Sequence, residues 1–188
     1  MKTEKKLFPL YTDLTQKKAV VIGGGKIAAR RIKSLLGFVG ELVVIAPLVQ
    51  PEIRELAEKG ELIWKQKEYR REDLYDADLA LAATDDSRVN DDIYSACKCL
   101  GILVNTASDQ NKCDFHFPGL ICHDGVVIGF NAAGKDHKKT RQMREKVEEF
   151  LKTPEVEHEQ QDSGNRQPGE PACCDTERNG EGLHREEQ

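Results

Sequence analysis

The stretch Ala19-Val20-Val21-Ile22-Gly23-Gly24-Gly25-Lys26-Ile27-Ala28 decides the fold. Its first four residues form a continuous apolar run, as in a strand buried on both faces; a half-exposed strand would alternate with polar residues. The glycines end that run. Residues 26–36 then place Ile27, Ala28, Ile32, Leu35 and Leu36 on one stripe of a helix, with Arg30, Arg31 and Lys33 opposite. Between strand and helix the spacing reads G-x-G-x-x-A. Gly23 permits a tight turn, Gly25 lets a ligand approach bare backbone, and Ala28 allows the helix to pack closely on the strand. The helix N-terminus supplies N–H groups with no partner inside the helix, so this arrangement points to the pyrophosphate of a dinucleotide.

Outward from that turn the pattern repeats. Leu42-Val43-Val44-Ile45 makes a second strand, stopped by Pro47, and residues 51–59 make a short helix with Ile53, Leu56 and Ala57 inward. Leu62-Ile63-Trp64, Leu79-Ala80-Leu81-Ala82-Ala83 and Leu103-Val104-Asn105 read as further strands. Val89, Ile93, Ala96 and Cys97 recur at helical spacing behind Asp85 and Asp86, which suit the start of a helix. Strands alternating with amphipathic helices imply an α/β fold around a Rossmann-type parallel sheet. After Cys113 the texture changes. Leu120-Ile121-Cys122-His123 and Val126-Val127-Ile128-Gly129-Phe130 flank Asp124-Gly125, a strong hairpin signal, and a last helix from about Asp136 sets Thr140, Met143, Val147, Phe150 and Leu151 on one side.

Composition narrows the function classes. The chain has 188 residues, of which 38% are hydrophobic and 32% charged, and a formal net charge of -5. Residues 152–188 carry 4 Lys and Arg against 10 Asp and Glu, which leaves about +1 for residues 1–151. The acidity belongs to the tail, and a basic nucleic-acid-binding surface is not indicated. With few aliphatic residues, 152–188 reads as a disordered acidic tail. No apolar run approaches the ~20 residues of a membrane-spanning helix, and the charged start runs into Pro9 too soon for a secretory signal. The six cysteines lack paired metal-site spacing and read as free thiols of a reducing compartment, so a cytoplasmic protein is expected.

The motifs also occur in a telling order. Phe8-Pro9-Leu10, Gly23-Gly24-Gly25-Lys26-Ile27-Ala28, Ala82-Ala83-Thr84-Asp85-Asp86, Val104-Asn105 and Cys113-Asp114-Phe115-x-Phe117-Pro118 together resemble the N-terminal half of siroheme synthase and the stand-alone precorrin-2 dehydrogenases and sirohydrochlorin ferrochelatases. The match spans about residues 7–151. The resemblance implies NAD-dependent oxidation of precorrin-2 to sirohydrochlorin, in some members followed by Fe²⁺ insertion, and a homodimer. On that basis residues 1–112 form the NAD-binding Rossmann domain and residues 113–151 a small α+β dimerisation and substrate-cleft segment. Lys26, Ile27, Pro47 and Leu48 fall where the family contacts NAD. Thr84, Asp85 and Asn105 fall at the ends of the fourth and fifth strands, where such sheets bind ligands. The acid that usually holds the adenosine ribose is replaced by Ala46-Pro47-Leu48, so this motif does not choose between NAD and NADP.

The chain departs from the family twice. The family's Asn-x-x-Asp becomes Asn105-Thr106-Ala107-Ser108, with Asp109 one place later. An unassisted serine oxygen is too weak a base to replace a carboxylate. Ser108 and Asp109 are therefore the catalytic candidates, and three readings stay open: Asp109 serves, no base is needed here, or activity is lost. A Ser-rich turn is replaced by residues 131–137, and the family's helical C-terminal module is not expected after Leu151, which shortens one wall of the cleft. Lys112, Lys135, Lys138, Lys139, Arg141 and Arg144 either bind the substrate's carboxylates or form a solvated helix face. His116 is a substrate-cleft candidate; its spacing from Cys113 and Asp114 matches no fixed metal-ligand set, and no resident metal is expected. The rival to the enzyme is a non-catalytic dinucleotide- or tetrapyrrole-binding relative, and a nucleotide-sensing regulatory domain would need neither the hairpin nor the Cys113 motif.

Overall fold

The computed structural model describes residues 7–133 and 136–153. Five strands, β1 (Leu14–Ile22), β2 (Val39–Ile45), β3 (Ile63–Lys65), β4 (Leu79–Ala82) and β5 (Leu103–Thr106), form a parallel sheet in the order β3-β2-β1-β4-β5. Helices α1 (Lys26–Leu35), α2 (Pro51–Glu58) and α3 (Ser87–Leu100) connect them. The apolar runs are unbroken because both faces of the sheet are covered. Ala19 and Val21 of β1 share one core with Ala28, Ala29, Ile32, Leu35 and Ile53, while Val20 and Ile22 share the other with Leu74, Ile93, Ala96 and Cys97. α3 begins on Asp86, whose carboxylate accepts from the Arg88 N–H at 2.8 Å, and ends on Gly101 at φ 72, a left-handed cap that glycine tolerates.

Several boundaries and faces differ from the sequence expectation. β1 starts five residues before Ala19, because Leu14 pairs with Val39; of the polar residues between, Thr15, Gln16 and Lys17 are exposed and Lys18 is half-buried. Ile27, grouped with the inward stripe, is 47% exposed, and Ala29 takes its place in the core. Ile27 lies in the first turn of α1, past the end of the strand it would have to cover. Arg31, assigned to the outer face, is half-buried because residues 113–117 return over it.

That return tethers the following segment. Cys113 forms an antiparallel bridge with Asn105, the Asp114 N–H donates to the Val104 carbonyl at 2.8 Å, and Phe115 and Phe117 pack against the core on the α1 side. β6 (Gly119–His123) and β7 (Val126–Phe130) then pair antiparallel, joined by Asp124 at φ 46 and Gly125 at φ 74. Two successive positive φ values match the twist of a two-residue hairpin. α4 (His137–Leu151) packs on this hairpin without a single buried residue, so its apolar side is only partly used: Thr140, Val147 and Leu151 are half-buried, and Met143 and Phe150 are exposed. Lys135 and residues 154–188 of the expected acidic tail lie outside the described residues.

Cys97 provides a test of the α3 side of the core. It is fully buried, and burial pushes its thiol from an ordinary value of 9.0 up to about 11. Folding therefore favours the neutral thiol, and its contribution is complete below pH 9 and lost as pH rises towards 11. Urea midpoints of the wild-type protein should fall over that interval more steeply than those of Cys97→Ala, which has no thiol to ionise. Parallel profiles would show that the thiol does not titrate with folding.

Candidate dinucleotide and substrate site

The parallel register brings the loops of interest to one edge. Ile22 is paired with Ile45 on one side and Ala82 on the other, and Ala82 with Thr106. The chain therefore leaves the sheet side by side at Gly23, Ala46, Ala83 and Ala107. This is the C-terminal edge, where the order reverses between β1 and β4 and where open α/β sheets bind ligands.

Each glycine of the turn has a different reason to be there. Gly23 has φ +117, its N–H donates to the Ile45 carbonyl at 3.0 Å, and a Cβ on it would lie 2.3 Å from the Ala83 carbonyl oxygen. A Cβ on Gly24 would lie 2.1 Å from the Leu48 carbonyl oxygen, where the loop after β2 crosses it. The Gln50 N–H locks that crossing by donating to the Gly24 carbonyl at 2.8 Å. Sequence reading gave Gly24 no role, since its partner is distant in the chain. A Cβ on Gly25 would meet no atom within 4 Å. Gly25 starts α1 without a side-chain cap, and the first turn of α1 has no acidic residue. Open space, bare backbone and uncapped amides coincide there, as an incoming pyrophosphate requires.

Beside the turn, Ala46 and Pro47 present carbonyls already engaged by the Trp64 indole N–H at 2.9 Å and the Gln66 side-chain amide at 3.3 Å, and Leu48 is exposed. On the other side Asn90, 1% exposed, organises the loop after β4. Its side-chain oxygen accepts from the Thr84 N–H and hydroxyl, at 3.2 and 2.8 Å, and its amide donates to the Thr84 carbonyl at 3.0 Å. The same amide reaches the Ser108 hydroxyl at 3.4 Å, so one buried side chain ties the β4 and β5 loops together. Asn90 was missed, although a polar residue on the stripe of Ile93 and Cys97 is a visible signal. Asp85 is exposed beside Thr84.

After β5, Asp109 accepts from the Asn111 N–H at 2.9 Å and so caps the short 3-10 turn Gln110–Lys112. The Cys113 thiol bonds across the loop to Thr106 and to the Asp109 carbonyl, each at 3.3 Å. Asn105 is only 2% exposed, and its amide is committed to the fold: it accepts from Arg31 at 2.6 Å and donates to the Phe115 carbonyl at 2.7 Å. His116 is half-buried in the same returning segment. Burial alone would raise the Asp114 pKa, but Lys98 and the Val104 N–H hold it below the usual carboxylate range. Among the described residues no group of three or more His, Cys, Asp or Glu is placed to hold a metal ion.

The described basic candidates divide between the turn after β5, which holds Lys112, and α4. Lys138 and Arg141 lie exposed on α4, which packs on β6 and β7, and Arg141 is paired with Glu145. Arg144 pairs with Glu148 and Lys112 with Asp91. Among the described residues no helix is long and apolar enough to cross a membrane.

A doubly wound sheet with this glycine turn at its switch point is a dinucleotide-binding Rossmann domain. The family model described as "Putative NAD(P)-binding" matches residues 10–119, and the chain belongs to that family. It is 33% identical over 143 residues to siroheme synthase 1 of Serratia proteamaculans, covering 76% of this chain and 30% of that protein. With siroheme synthase of Zymomonas mobilis the identity is 36% over 144 residues, with the same coverage. The chain thus spans about a third of the length of these relatives. Among solved structures it is similar to SirC, a precorrin-2 dehydrogenase, at a TM-score of 0.62 and 28% identity, covering 77% of this chain and 71% of that one.

Proposed function

We propose that the chain is an NAD-dependent precorrin-2 dehydrogenase that forms sirohydrochlorin on the route to siroheme. The observation that carries this reading is the open, uncapped backbone at Gly25 on the shared edge of β1, β4 and β5, in a fold similar to that of SirC. The N–H groups of Lys26 and Ile27 would hold the pyrophosphate, backbone at Pro47 and Leu48 the adenosine, and Thr84 and Asp85 the far side of the dinucleotide. Bound NAD⁺ supplies the hydride acceptor. What this chain contributes is placement of the substrate carbon and a route for the proton that departs with the hydride.

Asp109 is our candidate for that proton. Its carboxylate is held in place by the Asn111 N–H, and Ser108 next to it offers a hydroxyl that orients without acting as base. Asn90 reaches the Ser108 hydroxyl from α3, and Asn105, on β5, holds Arg31 and the Phe115 carbonyl. The roles of 1–112 as dinucleotide domain and 113–151 as dimerisation and cleft segment belong to the same proposal. A two-stranded sheet does not stabilise itself in water, Ile121 is the one buried residue of β6 and β7, and Val126, Met143 and Phe150 remain exposed. A homodimer covers this face and lets Lys135, Lys138 and Arg141 of one copy, with His116, complete the substrate cleft of the other. Fe²⁺, when inserted, enters as a substrate. We place the protein in the cytoplasm, in keeping with the thiols of Cys97, Cys99 and Cys122.

The test is anaerobic. Purified protein supplied with precorrin-2 and NAD⁺ should accumulate the visible absorbance of sirohydrochlorin, and Fe²⁺ added afterwards should convert it to siroheme if chelation is also catalysed. Retained tetrapyrrole binding with no turnover would instead establish a non-catalytic carrier.

A further inference from the structure

Arg31 is a charge that the fold leaves unanswered. On α1 it is half-buried between the helix and the returning segment 113–117, with its guanidinium carbon 4.8 Å from the centre of the Phe117 ring. One terminal nitrogen donates to Asn105, while Nε is buried with no acceptor. Among the described residues no carboxylate comes within 4.0 Å of it, whereas Lys98 and Lys112 each have one. Burial pulls its pKa below the ordinary guanidinium value, yet a guanidinium remains a cation throughout the working range. Holding a partly desolvated cation against neutral partners alone is unfavourable, and an anion brought by a ligand removes that penalty.

The surroundings indicate which anion. Asn105 is the penultimate residue of β5, just before the loop that carries Ser108 and Asp109, and the Phe117 ring against the guanidinium has the Phe115 ring 5.5 Å from it. A flat macrocycle bearing carboxylate arms fits a planar cation backed by rings. The dinucleotide pyrophosphate has its own seat at the start of α1, where Gly25 is open. We propose that Arg31 binds a carboxylate of the tetrapyrrole substrate and so positions the macrocycle over the end of β5. This rests on the dehydrogenase reading above for the identity of the macrocycle.

Arg31→Gln keeps a donor for Asn105 and removes the charge; Arg31→Lys keeps the charge and loses the planar fork. Sirohydrochlorin binding is followed by its absorbance, NAD⁺ binding by calorimetry, and KM and kcat with precorrin-2. Arg31→Gln should weaken sirohydrochlorin binding and raise KM by about 10- to 100-fold, the usual effect of losing a charge-assisted hydrogen bond. Expected alongside are a kcat within about threefold, NAD⁺ affinity within about twofold of wild type and an intermediate value for Arg31→Lys. Unchanged sirohydrochlorin affinity in Arg31→Gln would overturn the proposal. So would an equal loss of NAD⁺ affinity, which would assign the charge to the pyrophosphate, or a wild-type protein that binds no sirohydrochlorin. A wild type that binds sirohydrochlorin but never oxidises precorrin-2 overturns the dehydrogenase reading alone, and the binding comparison still decides the role of Arg31.

Discussion

Gly25→Ala is expected to leave the fold standing and to weaken NAD⁺ binding at least about tenfold, whereas Gly23→Ala should destabilise the whole domain. The two glycines stand two residues apart, and their surroundings decide the difference. At Gly25 the backbone is extended, with φ −80, and a methyl group enters empty space, so the expected stability cost is a fraction of a kcal/mol to about 1 kcal/mol. That space is where the pyrophosphate has to come against the amides of α1, and the methyl group holds it off. At Gly23 a Cβ meets the Ala83 carbonyl at 2.3 Å in a backbone conformation that L residues resist. Neither β1 nor β4 can yield without breaking the central pair of the sheet, so about 3 kcal/mol or more is expected. Urea midpoints and calorimetric NAD⁺ titration separate the two outcomes. Normal NAD⁺ affinity in Gly25→Ala would remove the dinucleotide from this turn.

Asp109→Asn should lower kcat by about 10²-fold or more with little change in stability. Asparagine caps a turn nearly as well as aspartate, so the 3-10 turn Gln110–Lys112 and the Cys113 contacts behind it are retained while the proton acceptor is removed. The companion change, Ser108→Asp, restores a carboxylate at the position where the resembling family carries one and should raise the rate. If neither substitution alters turnover, proton transfer at this edge does not limit the reaction and needs no protein base.

Most of the sheet was legible because it rests on local pattern. Unbroken apolar runs at β1, β2 and β4, the glycine spacing and Asp124-Gly125 each specify their own geometry within a few residues. What escaped depends on contacts between distant segments. Helical periodicity puts Arg31 beside Arg30 and Lys33 on an outer face, and only the return of Phe115 and Phe117 covers it. Gly24 matters because Leu48 crosses it, and the polar half of β1 is a strand because β2 begins early enough to pair with it. Asn105 was read as a ligand contact from its place at a strand end, and its side chain turns out to carry Arg31 and Phe115. The cluster of basic residues on α4 followed from sequence proximity, and within one chain their own carboxylates take up Arg141 and Arg144.

The most direct measurement is the stoichiometry of a single anaerobic turnover, with sirohydrochlorin and NADH followed together by absorbance. Converting precorrin-2 to sirohydrochlorin removes two hydrogens, one leaving as hydride to the nicotinamide and one as a proton. Equimolar NADH and sirohydrochlorin, appearing at the same rate and absent from Gly25→Ala at limiting NAD⁺, is the expected result. Sirohydrochlorin formed without NADH, or neither product despite bound dinucleotide, would contradict the assignment of this edge as a dehydrogenase site.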